Sequence, residues 1–261
     1  MISVKTKEEL EVMREGGRKL GLILDELLSM STVGVNLLDV EKHAAKRVRE
    51  VGGQPSFTTV EGYPYVTCLC MNEEVVHGMP RDYALRDGDV LTIDIGMMYQ
   101  GLHTDTAWTK IVTSQKSQVK SQKDEEKRRF LQTGETALAR AIETAIAGNR
   151  VGDISNAIQS TIEASGYHVV KDLTGHGVGK VLHEEPMIHE YVRGDIGRTP
   201  LLVCGMTLAI EVIYAMGQGS ICYKSDDGWT LESKDRSLTA VFEHTIAISE
   251  NQSDVLTRRE V

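Results

Sequence analysis

Two aspartates, Asp94 and Asp105, stand in Leu91–Trp108, a stretch reading Leu-Thr-Ile-Asp-Ile-Gly-Met-Met-Tyr-Gln-Gly-Leu-His-Thr-Asp-Thr-Ala-Trp. Leu91, Ile93 and Ile95 alternate with Thr92, Asp94 and Gly96, the period-2 pattern of a strand with one apolar face. A second extended run, Leu102–Trp108, follows a turn near Tyr99–Gly101. A two-residue loop at Tyr99–Gln100 sets the two carboxylates opposite each other, with Cβ atoms about 5 Å apart. A Gln100–Gly101 loop makes them diagonal neighbours on one face, and a three-residue loop without a bulge puts them on opposite faces. Facing carboxylates repel. The pair therefore reads either as a turn cap beside a solvated acid or as ligands for a divalent metal.

Two further acids lie inside apolar runs, Glu211 in Gly205-Met-Thr-Leu-Ala-Ile-Glu-Val212 and Glu243 in Val241-Phe-Glu-His-Thr-Ile-Ala-Ile248. Four carboxylates buried together as anions cost several kcal/mol each, on the order given for uncompensated ions, and two divalent ions would offset that cost. Oxygen-rich ligation with little sulfur favours Mn, Fe or Co and leaves Zn open. Three histidines sit where glycine or proline shapes the backbone: His176 in Thr174-Gly-His-Gly-Val-Gly179, His183 in His-Glu-Glu-Pro186, and His77 in Val75-Val-His-Gly-Met-Pro80. A lone histidine is more often structural than a ligand, but three in this setting beside four strand carboxylates reverse that balance. His43, His168 and His189 carry no such context and read as structural. His103 and His244 stand beside proposed ligands and are expected to point to the opposite face of their strands.

Bulk properties bound the function. The 261 residues can bury a substantial core, and 41% hydrophobic with 26% charged residues is ordinary for a globular protein. A net charge of −9 argues against direct nucleic-acid binding. No apolar run reaches the length of a membrane span, and the first residues have no signal core, so a cytoplasmic protein without membrane contact is expected. Cys68, Cys70, Cys204 and Cys222 form no paired zinc pattern; Cys68 and Cys70 read as small buried residues on one strand face.

The positioning elements follow from periodicity. Lys7–Met30 predicts a helix whose Leu10, Met13, Leu20, Leu24, Leu27 and Leu28 share a face, with Thr6 as N-cap and Glu9 completing a capping box. Asn36–Val51 predicts a second helix, ended by Gly52-Gly53. Strands are expected at Thr58–Val60, Thr67–Met71 and Val90–Ile95. Ser114–Lys123 reads as a linker, Arg128–Ala147 and Ile154–Ser165 as helices. The halves resemble each other. Gly34, Asp39 and Gly52 recur as Gly148, Asp153 and Gly166, 114 residues later, and Leu85-x-x-Gly88…Ile93-Asp94-Ile95 recurs as Leu202-x-x-Gly205…Ile210-Glu211-Val212. An internal duplication of roughly 110–120 residues implies one pseudo-twofold α+β domain, with Glu211 approaching Asp94 across the pseudo-axis.

Together these residues resemble a known family. Asn72-Glu-Glu-Val-Val-His-Gly-Met-Pro80, the Asp94/Asp105 spacing, Gly175-His-Gly-Val-Gly179, His183-Glu-Glu-Pro186, Gly205-Met-Thr-Leu-Ala-Ile-Glu211 and Asp227-Gly-Trp…Phe-Glu-His-Thr245 fall in the order found in type I methionine aminopeptidases of the pita-bread metallopeptidase fold. The match runs from about Lys5 to Ile248. It implies an α+β, pseudo-twofold pita-bread fold, an antiparallel sheet covered by two helix pairs, as a single domain over 1–261 with copies at approximately 7–113 and 128–249.

The resemblance also implies roles. Asp94, Asp105, His176, Glu211 and Glu243 would be metal ligands for two divalent ions (Co, Mn, Fe or Zn), with Asp105 and Glu243 shared and His176 on one ion. Glu211 would also be the general base, His183 would hold the oxyanion, and His77 would contact the substrate near the scissile peptide. Phe57, Tyr63, Cys68, Leu182 and Trp229 would line a pocket for the methionine side chain of nascent polypeptide N-termini; the plain reading of Phe57 and Leu182 is ordinary core. Val212 replaces a proline common after the matching glutamate, and Glu61 stands where some members carry histidine. The short bacterial-type architecture and a monomer are expected. Lys116–Arg129 reads as a solvated linker, with a ribosome contact as the alternative. Xaa-Pro dipeptidases share the fold and ligands but usually carry a separate N-terminal domain. A non-catalytic binding module of this fold is the other alternative; such relatives have typically lost ligands, whereas this chain keeps five.

Overall fold

Alternation along two long antiparallel strand pairs decides which side chains face helices and which face each other. A computed structural model describes residues 2–113, 122–224 and 227–260. Its first half holds α1 (Lys7–Met30), α2 (Leu37–Glu50), β1 (Gln54–Pro55), β2 (Thr67–Met71), β3 (Glu74–Val76), β4 (Val90–Tyr99) and β5 (Leu102–Ile111). The second holds α3 (Gln122–Thr144), α4 (Val151–Ala164), β6 (His168–Val169), β7 (Thr174–Gly177), β8 (Glu184–His189), β9 (Thr207–Ala215), β10 (Ile221–Tyr223), β11 (Leu231–Ser233), β12 (Thr239–Ala247) and β13 (Asp254–Val255).

The β4–β5 hairpin turns through Gln100 and Gly101, both at positive φ (49° and 84°), the two-residue turn whose twist matches the flanking strands. Asp94 then pairs with Ala107, and Asp105 with Gly96. The two aspartates are diagonal neighbours on one face. On the other face Leu91, Ile93, Ile95 and Met97 pack with Leu69 and Met71 of β2 against α1 and α2. Leu20, Leu24 and Leu27 supply the α1 side of that core. Thr6 Oγ1 accepts from Glu9 N at 3.2 Å while Thr6 N donates to Glu9 Oε2 at 2.9 Å, the capping box in full.

The second half repeats this plan. In β9, Leu208, Ile210, Val212 and Tyr214 pack with Phe242 of β12 against α3 and α4, leaving Ala209, Glu211 and Ile213 on the other face. Val212 is fully buried in that core, its side chain on the face away from Glu211. Helices α2 and α4 each have 14 residues, their starts 114 apart. Gly34 and Gly148 have φ of 91° and 96°, Gly52 and Gly166 have 79° and 81°, and Gly88 and Gly205 have 87° and 88°. Gly34 N donates to Leu85 O at 2.8 Å, and Gly148 N to Leu202 O at 3.0 Å.

No ladder joins the halves where β5 meets β12; among the described strands, β5 pairs with β4, and β12 with β9 and β13. Threonine hydroxyls stitch the edges instead. Asp105 N donates to Thr245 Oγ1, which donates to Asp105 O, both at 2.8 Å. Val241 N donates to Thr109 Oγ1 at 2.9 Å, which donates to Val241 O at 2.8 Å. Thr106 Oγ1 donates to Glu243 O at 2.8 Å. These satisfy edge groups that water or another chain would otherwise claim.

Four local expectations change. Residues Phe57–Thr59 form a 3-10 turn, not a strand at Thr58–Val60, because Thr58 and Thr59 turn their hydroxyls onto the carbonyls of Pro55 (3.1 Å) and Ser56 (2.6 Å). Most of the linker, 114–121, lies outside the described residues, and its last two residues, Gln122 and Lys123, open α3. That helix starts six residues before Arg128 and stops at Thr144, whose carbonyl accepts from Asn149 Nδ2 at 2.8 Å. Helix α4 begins at Val151, because Asp153 Oδ2 accepts from Arg150 N at 2.8 Å and caps the turn before Ile154.

Candidate metal centre

The β4–β5 hairpin and the β9–β12 pair turn their second faces onto one cavity. Glu243 lies directly opposite Glu211 in the β9–β12 register, and the stitched edges bring this pair against Asp94 and Asp105. On β7, His176 pairs with Ala209 and so lies diagonal to Glu211; its Nε2 is 3.6 Å from Glu211 Oε1. A cavity of about 180 Å³ is lined by Asp94, Asp105, His176, Glu211 and Glu243, by His77 and His183, and by Phe57, Val60, Tyr63, Cys68, Val76, Leu182 and Trp229. Every residue singled out for chemistry is in that list. The two neighbours without a sequence signal, Val60 and Val76, are small apolar wall residues.

Asp105 and Glu243 are buried, and Asp94 and Glu211 partly so. Burial raises all four carboxyls above their ordinary range. For Asp94 the charges of Asp105 and Glu211 add to it, and for Glu243 those of Asp105, Glu211 and Asp94. Asp105 is pushed up to about 7 by burial, against the pull of the Thr106 amide, which donates to its Oδ1 at 3.0 Å. Burial holds the His176 ring down to about 4, helped by His183, whose ring meets it edge-on at 4.5 Å. His176 Nδ1 lies 2.8 Å from Gly177 O; carrying the proton there leaves the Nε2 lone pair for the cavity.

The donor set fits divalent cations. Asp94 Oδ1 and Glu243 Oε1 are buried without a hydrogen-bond partner. Single ligand atoms of Asp105, His176 and Glu243 lie within 4.8 Å of one another. No lysine or arginine is among the lining residues. A cluster of acceptors and neutral imidazole with orphaned oxygens lacks only positive charge.

Beside the carboxylates the wall turns apolar. Phe57, Tyr63, Cys68 and Leu182 form one buried cluster with Val60, Met79 and Trp229 against it, and Trp229 meets Tyr63 edge-on at 5.1 Å. Cys68 is opposite Asp94 in the β2–β4 register, which puts a thiol where pocket and carboxylates meet. His77 and His183 are exposed at the rim, His77 on a left-handed backbone (φ 59°), a conformation that costs a non-glycine residue about 1 kcal/mol or more. Glu61 is exposed and is not a lining residue.

One placement differs from expectation. His244 does face away, its Nδ1 3.0 Å from Thr257 Oγ1 and its ring against Trp108. His103 does not: two residues from Asp105, it shares that face, with Nδ1 2.8 Å from Ser56 Oγ. Glu190 carries no sequence signal. It is fully buried just past β8, Oε2 accepting from Ile213 N at 3.1 Å in a gap of the sheet, Oε1 without a partner, and its charge helps raise Glu211.

Comparisons with known proteins fit this geometry. Residues 11–250 match the model of metallopeptidase family M24. A methionine aminopeptidase of Clostridium perfringens is 37% identical over 98% of this chain and 99% of its own, and methionine aminopeptidase 1 of Bacillus subtilis is 38% identical over 99% and 100%. The crystal structure of a methionine aminopeptidase from Thermotoga maritima superposes with a TM-score of 0.91 at 38% identity, covering 99% of this chain and 100% of that one. A prolidase from Pyrococcus furiosus shares the fold at a TM-score of 0.76 and 23% identity, with 99% of this chain but 66% of its own covered. The chain belongs to metallopeptidase family M24, with the methionine aminopeptidases.

Proposed function

We propose that this protein removes the N-terminal methionine from nascent polypeptides and peptides by metal-dependent hydrolysis. One juxtaposition carries the reading: a cluster of acceptors without a protein cation opens directly onto an apolar pocket walled by Tyr63 and Trp229. In this reading Asp94, Asp105, His176, Glu211 and Glu243 would hold two divalent ions; cobalt, manganese, iron and zinc all suit the donors. When bound, such ions acidify water and polarise a carbonyl.

The chain's own groups do the rest. Glu211, partly open to the cavity, takes a proton from the attacking water and returns it to the leaving amine. His183 donates from the rim to the carbonyl oxygen as that oxygen gains charge. His77 orients the scissile peptide. Phe57, Tyr63, Cys68, Leu182 and Trp229 receive an unbranched thioether side chain, for which sulfur–aromatic contact adds to burial. The negative lining favours a cationic chain end over an internal peptide. The same reading takes the chain as one catalytic unit of two copies, approximately 7–113 and 128–249, working as a cytoplasmic monomer.

The test is metal-titrated turnover. Chelated protein reloaded with each metal is assayed on Met-Gly-Met-Met and on an Ala-Pro peptide, with Asp105→Asn alongside. Wild type should prefer the methionyl peptide, and Asp105→Asn should fall by about 100-fold or more, the scale of losing a metal-site carboxylate. Preference for Ala-Pro, or equal activity in the two proteins, overturns the proposal.

A further inference from the structure

The left-handed backbone of His77 needs support, and on one flank a single side chain supplies it. Strand β3 pairs with β11 as far as Val76 opposite Leu231, and the ladder ends where the chain turns at His77. Next in line on the β11 side is Thr230, which is fully buried. Its hydroxyl has one proton and two acceptors within reach, Asp227 Oδ2 and, at 3.4 Å, the His77 carbonyl oxygen. Its lone pair accepts from Met79 N at 3.4 Å. A side chain thus takes over where main-chain pairing stops.

Asp227 fixes this hydroxyl and also the pocket wall. Its Oδ1 accepts from Trp229 N at 2.9 Å and from Thr230 N at 2.8 Å. The opposite side of the turn is already anchored, since Leu69 N donates to Gly78 O at 2.7 Å and Gly78 N to Cys70 Sγ at 3.2 Å. Only the His77–Met79 flank depends on Thr230 for its side-chain contact among the described residues.

We propose that Thr230, oriented by Asp227, is a positioning residue that holds the His77 turn in register with the Trp229 wall of the pocket. The role rests on reading the cavity as an aminopeptidase site. Thr230 touches no reacting atom; it acts through His77.

A double-mutant cycle tests this. Thr230→Val keeps shape and removes the hydroxyl, Thr230→Ser keeps the hydroxyl, and both are compared with His77→Ala and His77→Ala/Thr230→Val on Met-Gly-Met-Met with metal in excess. Thr230→Val should lower kcat/KM by about tenfold, the scale of a small misplacement near the chemistry, and Thr230→Ser should stay within about twofold of wild type. In the His77→Ala background Thr230→Val should cost less than about twofold more, because the two changes act on one element. Activity of Thr230→Val near wild type, an equal loss in Thr230→Ser, or the same factor in both backgrounds overturns the proposal. If Thr230→Val does not melt cooperatively, Asp227→Asn, which removes the carboxylate acceptor for the hydroxyl, takes its place in the cycle. Wild type inactive with every metal sinks the peptidase reading itself, an outcome distinct from any of these.

Discussion

Thr245→Val perturbs the seam between the halves at the point where it carries a candidate ligand. Thr245 is fully buried, and its hydroxyl exchanges two bonds of 2.8 Å with the main chain of Asp105. Valine fills the same volume and leaves that N–H and C=O without partners, at about 1–3 kcal/mol each. Relief from burying a hydroxyl returns about 1 kcal/mol. The net is a loss of roughly 1–5 kcal/mol, centred near 3, or about 6–12 °C in Tm at that centre for a chain of this size. Thr109→Val is the matched control, since Thr109 makes the same reciprocal bonds with Val241 farther along the seam. Both variants should lose similar stability in chelator, measured by thermal unfolding. Only Thr245→Val should raise the metal concentration for half-maximal activity, by about tenfold or more, because its partner Asp105, unlike Val241, carries a carboxylate into the cavity. If Thr245→Val is as stable as wild type, or Thr109→Val weakens metal dependence equally, the reasoning fails.

Two other predictions concern the metal-free protein and the helical layer. Asp105 is raised from an unfolded value of about 3.9 to about 7, so its stabilising protonated form is complete below pH 4 and is lost as pH rises through 7. Chelated protein should therefore lose about 2 kcal/mol or more between pH 5.5 and 8, with Asp94, Glu211 and Glu243 acting in the same direction; divalent metal should reverse the loss, and a flat profile in chelator would contradict the assignment. Gly134→Ala should destabilise despite alanine's higher helix propensity: the new Cβ would lie 2.5 Å from the Phe242 ring and 2.6 Å from Tyr214 Oη. Overpacking against rigid rings should outweigh a gain of about 1 kcal/mol, which a higher Tm in the variant would disprove.

Much of the site was legible because its acids interrupt apolar strands. Alternation alone puts Asp94 on the face away from Ile93 and Ile95, and the glycine in Gln100–Gly101 permits the positive φ that sets the diagonal register. The α1 capping box and the bounds of β2 follow from local pattern in the same way. Where local signal is weak, the reading fails for identifiable reasons. Residues 122–129 are polar on every side, so the start of α3 has no apolar face to announce it. Strand β7 is Thr-Gly-His-Gly, which has no strand propensity and is held by pairing on both sides. His103 was readable: two residues from Asp105 means the same face. Glu190 was not, since nothing adjacent separates it from a surface glutamate; only the gap in the sheet at Ile213 buries it.

The hydroxyl stitching along β5 and β12 has a mechanical consequence. Along that line each sheet keeps its own amide ladder, so loosening the β5–β12 contact means releasing a few threonine bonds, while the β3–β11 pair still ties the two halves together elsewhere. Amides inside β4 and β9 can thus stay protected from solvent exchange while the line between them breathes. A cation seated there would bind carboxylates from both edges and so tie across a line that carries no amide ladder.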